Sequence, residues 1–271
     1  MPHADVPGGR LYYELDGEAS RPTLLLIHAG IATLRMWDPI IDALASTHHI
    51  VRFDTRGFGE SESEDIEFSN RDDALRLLDQ LDVERATVVG AARGGQIAID
   101  LAVEHGDRLA GLVAVGANIS GFPEVELSDA EEALFEDLDE AWQNRDWPVL
   151  MDTEVRMWAV GPGRDPDDID PDFLEAARKL NRFNIARIEQ SPIPRPLEPP
   201  AFDRVVDIDV PALVVVGEHD LTPTLVQFEY LAEQISHADT CRLDDTAGLP
   251  TVERPGAFLA CLEPWLERHS L

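Results

Sequence analysis

The sequence of 271 residues predicts an α/β fold, a mostly parallel central sheet flanked by helices. Two observations carry that prediction. Short runs of valine, leucine and isoleucine alternate with longer amphipathic stretches, the order produced when strands are joined by crossover helices. Several runs are apolar throughout instead of alternating, as suits central parallel strands buried on both faces.

In chain order the predicted strands are residues 23–28, 50–54, 86–90, 109–116, 212–217 and 240–243. Between and after them lie amphipathic stretches at 72–81, 94–105, 226–235 and 255–268, read as helices packed on the sheet. Residues 120–200 break the alternation. This region is acidic, favours helix at 128–144 and 171–190, and ends in a proline-rich run from Ser191 to Pro200. Ser128 followed by Glu131 has the form of a capping box and marks a helix start. The expected division is a core of 1–119 and 201–271 with a helical lid at 120–200. Trp142, Trp147, Met157 and Trp158 within it either pack the lid onto the core or wall a pocket for an apolar substrate.

Composition narrows the function classes. Apolar residues make up 44% and charged residues 28%, the balance of a globular chain that buries its own core. There are 53 acidic against 22 basic residues, a net charge of −31. No basic footprint exists for nucleic acid, and anionic membranes are disfavoured for the same reason. Lys179 is the single lysine. Cys241 and Cys261 are too few for a disulfide scaffold and lack metal-ligand spacing, so a reducing compartment is expected. The start of the chain has no secretory pattern and no apolar run reaches about 20 residues, which predicts a cytoplasmic protein. No metal-ligand cluster, dinucleotide fingerprint or phosphate loop is present, and no cofactor is expected.

The chemistry-bearing segments sit at strand ends. Residues 90–95 read Gly-Ala-Ala-Arg-Gly-Gly between a strand and a helix, the frame G-x-S-x-G with Ala92 where serine belongs. The strand ending at His28 runs into Ala29-Gly30. The next continues as Asp54-Thr-Arg56-Gly57-Phe-Gly59-Glu-Ser61. Further on come Gly217-Glu-His219-Asp220 and the closing Ala247-Gly248-Leu249-Pro250 with Glu253 and Pro255.

Taken together these segments resemble the α/β-hydrolase family, in particular its small lidded esterases and lactone hydrolases, over essentially the whole chain. The resemblance implies the α/β-hydrolase fold with a helical lid inserted after the sixth strand. It places the nucleophile at Ala92, the triad acid at Asp220 and the histidine at Gly248, 28 residues on (248 − 220). It implies an oxyanion hole from the backbone N–H groups of Gly30 and Arg93, and a substrate pocket from His28, Met36, Trp37, Trp158 and Leu249.

Two of the three triad side chains are therefore missing. Serine supplies the attacking oxygen and histidine moves its proton, so neither Ala92 nor Gly248 can perform its step. The expected function is an ester or lactone hydrolase in a form whose hydrolysis is lost or nearly lost. Two alternatives stay open: a non-catalytic binding protein on the same fold, and a cofactor-free lyase, cyclase or oxygenase that uses the oxyanion hole alone. The expected ligand is a small, neutral, apolar ester or lactone. Oligomeric state is left open.

Overall fold

A computed structural model of the chain describes residues 2–188 and 192–271. The main sheet is built from β1 (His3–Val6), β2 (Gly9–Asp16), β3 (Thr23–Ile27), β4 (His49–Phe53), β5 (Ala86–Ala91), β6 (Leu109–Val115), β7 (Ala212–Gly217) and β8 (Ala238–Leu243). Their spatial order is β1-β2-β4-β3-β5-β6-β7-β8, with Glu62–Ser63 paired beside β2. Contacts from β4 onward are parallel, while β1 and β2 add an antiparallel edge. The six predicted strands are all present. The β1–β2 hairpin is not among those predicted, because β1 is a four-residue edge strand and β2, Gly-Arg-Leu-Tyr-Tyr-Glu-Leu-Asp, mixes polar with apolar residues and shows no apolar run.

The pleat sorts each apolar run onto two faces. Leu25, Ile27, Val88, Leu112, Val214 and Val216 join one core with helices α2 (Asn70–Gln80), α3 (Arg93–Glu104) and α7 (Thr222–Gln234). Their neighbours Leu24, Leu26, Val89, Val113, Leu213 and Val215 face the other, with α1 (Asp38–Ala45), the short α8 (Pro250–Glu253) and α9 (Pro255–His269). This is why the runs carry no polar alternation.

Between β6 and β7 the chain forms α4 (Asp129–Gln143), α5 (Trp147–Glu154), a π-helical turn at Val155–Val160, and α6 (Pro171–Ile185). The capping box at Ser128 is formed in both directions. Glu131 goes further and accepts the backbone N–H of Thr222 at 2.5 Å, tying the start of α4 to that of α7. Leu134, Leu138, Ala141, Leu150 and Met157 make a small core of this region with Leu221. Residues 189–190 at the end of the predicted 171–190 helix, and Ser191, lie outside the described residues.

The expectation for the cysteines is corrected. Cys241 of β8 and Cys261 of α9 are joined in a disulfide, with Cα atoms 6.4 Å apart across 20 residues. Strand and helix are packed neighbours, a relation invisible in the spacing of two cysteines. Among the described residues no helix is long and apolar enough to cross a membrane.

Candidate active site

The C-terminal ends of β3, β5, β6, β7 and β8 open toward the region inserted between β6 and β7, and the site is built there. After β5 the chain turns sharply into α3, with Ala92 at φ 47° and ψ −112°. For a residue with a Cβ this conformation costs on the order of 1–3 kcal/mol. Its surroundings hold it. Ala92 donates its N–H to Val115 O at 2.8 Å and accepts from Gln96 N at 3.0 Å. A Cβ on Gly94 would lie 2.3 Å from Ile27 O, and one on Gly90 2.1 Å from Gly94 O, so the turn closes only around glycines. The turn has the strained strand-to-helix geometry expected of a nucleophile elbow, with alanine at its apex.

Facing the elbow is the loop after β3. His28 is fully buried and serves as its strut: Nε2 accepts the N–H of Thr55 at 3.0 Å, which leaves Nδ1–H to donate to Ala29 O at 2.8 Å. Burial pushes the imidazole pKa down, consistent with a neutral ring. Met36 Sδ accepts the Ala29 N–H at 3.2 Å, and Asn184 of α6 donates to Gly30 O and Ala32 O at 3.3 and 3.0 Å. Gly30 is thereby fixed beside Arg93, the first residue of α3. The N–H groups of Gly30 and Arg93 have no acceptor among the described residues, as an oxyanion hole requires.

The Asp54 to Ser61 segment closes this loop system from the side. Asp54 accepts from Leu34 N and Glu60 N at 2.8 and 2.9 Å, and a Cβ on Gly59 would strike its carboxylate. Arg56 makes a buried, two-pronged pair with Asp73 at 2.6 and 2.9 Å. The motif is a structural clamp.

A cavity of about 420 Å³ joins the predicted positions: Gly30, Ala92, Arg93, Trp158, Asp220 and Gly248 all line it. A second cavity of about 470 Å³, lined by Tyr12, Arg35, Asp54 and Lys179 among others, contains none of the elbow residues. Four pocket assignments are corrected. His28, Met36, Trp37 and Leu249 do not line the elbow cavity; each is completely buried. Met36 and His28 shape the loop from behind, and Trp37 and Leu249 belong to the core on the α1 and α9 face. The walls that sequence reasoning missed, Phe135, Glu154, Leu221 and Thr224, come largely from the inserted helices and the start of α7. Met157, read as a lid residue that packs or lines, also lines the cavity.

Asp220 stands after β7 with Oδ2 accepting the Gly217 N–H at 2.8 Å. Burial pushes its carboxyl up to about 7, outweighing that hydrogen bond, and Glu253 adds to the upward push. At the position predicted for the triad histidine, Gly248 donates its N–H to Trp158 O at 3.0 Å, and a Cβ at 248 would lie 2.5 Å from that same carbonyl. The position is packed against the π-helical turn, so a side chain there requires backbone movement. His219 donates its backbone N–H to Thr246 O at 2.9 Å and does not line the cavity.

The profile of the α/β hydrolase fold family matches residues 22–254. The chain belongs to that family. It is 25% identical over 270 residues to 3-oxoadipate enol-lactonase 2 of Acinetobacter baylyi, covering 96% of this chain and 94% of that one. It is 28% identical to a putative carbamate hydrolase, RutD, of a Caulobacter species, covering 93% and 94%. Among solved structures, the enol-lactonase from Burkholderia xenovorans LB400 superposes with a TM-score of 0.78 at 27% identity, covering 98% of this chain and all of that one.

Proposed function

We propose that this α/β-hydrolase is of the ester or lactone type, binds an acyl ligand in the elbow cavity, and has lost or nearly lost the acyl-enzyme route. The observation that carries the reading is Ala92, held in the strained elbow conformation at the wall of the same cavity as Asp220 and Gly248. Relatives that include an enol-lactonase support the substrate class. With the oxyanion donors retained, the loss lies in nucleophilic attack and proton transfer. Removing those two groups from a serine hydrolase costs on the order of 10⁶-fold in turnover.

A second reading is favoured by the Trp158 carbonyl against Gly248: the site has settled around a glycine, as a binding protein on this fold allows. The test is hydrolysis of p-nitrophenyl acetate and γ-butyrolactone by the unaltered chain and by Ala92→Ser/Gly248→His. Background rates in the unaltered chain and hydrolysis in the double variant support the first reading. Background rates in both favour the binding protein. Rapid hydrolysis by the unaltered chain that disappears in Asp220→Ala overturns both.

A further inference from the structure

Arg93 presents a cation with no carboxylate partner among the described residues. It follows the nucleophile position, lines both the elbow cavity and an adjoining cavity of about 340 Å³ that shares Gly30 and Glu154 with it, and spends its hydrogen bonds on neutral groups: Nη1 donates to Thr55 Oγ1 at 2.8 Å and Nη2 to Asn70 Oδ1 at 3.3 Å. Its guanidinium lies over the Phe58 ring, 4.5 Å from the centroid. No carboxylate among the described residues pairs with it, and Nε–H has no acceptor there. In a chain with 53 acidic residues this is unusual, and the most buried arginines show the contrast. Arg52 meets Glu14, Asp16 and Asp38, Arg56 meets Asp73, and Arg71 meets Glu104.

The two carboxyls that share the cavity do not supply the missing charge. Glu154 accepts from Asn181 Nδ2 at 2.6 Å, and Asp220 accepts from Gly217 N at 2.8 Å. Burial pushes both upward, which favours their neutral forms, and pushes Arg93 down to about 10, leaving it charged at neutral pH. A half-buried cation left without a partner costs free energy that an incoming anion recovers in part. The planar fork of a guanidinium matches the two oxygens of a carboxylate, and Ile31, Phe135, Met157 and Leu221 offer an apolar wall for the attached chain.

We propose that Arg93 is a specificity-determining residue that receives a carboxylate of the ligand, so that the cavity selects small carboxylate-bearing acyl compounds over neutral ones. The proposal rests on the elbow cavity being the ligand site, as in the preceding reading. It replaces the neutral ligand expected from net charge, because a group in contact with the ligand outweighs distant charges screened by solvent.

The experiment compares hexanoate with hexanamide, alike in shape and differing in charge, by calorimetric titration of the unaltered protein, Arg93→Gln and Arg93→Lys. Hexanoate is expected to bind at least about tenfold tighter than hexanamide to the unaltered protein. That ratio should fall to about one in Arg93→Gln and recover in part in Arg93→Lys. Three results each overturn the proposal: equal or tighter amide binding, no binding of either at millimolar concentration, or a ratio that survives in Arg93→Gln. The comparison within the unaltered protein stands even where a variant fails to fold. No hydrolysis is read, so an unexpectedly active esterase would overturn the preceding reading and leave this ratio unchanged.

Discussion

Asp220 carries the clearest residue-scale consequence of burying a carboxyl. Its carboxyl titrates near pH 7 in the folded protein, against about 3.9 in an unfolded chain. Between those values the folded state holds a proton that the unfolded state has released, so stability contributed by this group is full below about pH 4 and is lost as pH rises through 7. Asp220→Asn cannot ionise and lacks that loss. Urea denaturation at pH 5 and pH 8 should show the variant gaining on the unaltered protein by about 1–3 kcal/mol between the two conditions. An unchanged difference would show that the Gly217 hydrogen bond and solvent already stabilise the anion. That Asp220, Ala92, Gly248 and Gly30 come together at one cavity was legible, because the segments carrying them follow strand ends and resemble the family's motifs. The Trp158 carbonyl against Gly248 was not, since it joins positions 90 residues apart (248 − 158) through packing.

The elbow shows how an element is specified by what cannot be placed in it. Gly94 sits where α3 crosses the end of β3, and a methyl group there would meet the Ile27 and His28 carbonyls at 2.3 and 2.6 Å. Gly106 has nothing within 4 Å of the same position. Gly94→Ala should therefore cost more than about 3 kcal/mol or prevent folding, while Gly106→Ala should be neutral or stabilise by up to about 1 kcal/mol. Thermal and urea melts of the pair provide the measurement, and equal effects would remove the steric account of the elbow. The parallel strands and their helices were legible for a related reason: burial on both faces leaves only apolar residues, and the sequence shows it. The β1–β2 edge, the short α1 and α5, and the disulfide were not, because edges, helices of eight residues and cross-element bridges leave little local pattern. The same limit misplaced Met36, Trp37 and Leu249, apolar residues near the motifs whose depth is set by nonlocal packing.

At the scale of the molecule the net charge of −31 governs how the parts repel. Exposed pairs such as Arg10–Glu62 and Arg268–Asp239 lie in solvent and contribute little to stability, so screening them costs little. Repulsion among the unpaired acids is spread over the whole surface, and the Debye length falls from about 30 Å at 0.01 M salt to about 8 Å at 0.15 M. Raising sodium chloride from about 10 to 500 mM should therefore raise the melting temperature, with choline chloride giving the same effect if the cause is screening. The effect should be uneven. Helix α4 holds Asp129, Glu131, Glu132, Glu136, Asp137, Asp139 and Glu140 within 15 residues and no basic residue, whereas β5 is buried and uncharged. Hydrogen exchange at increasing salt should slow most in α4, whose Phe135 lines the elbow cavity, and least in β5. A melting temperature that falls with salt would mean that ion pairs outweigh the repulsion. Equal slowing in both elements would mean that the charge acts on global stability alone and does not loosen the helix over the cavity.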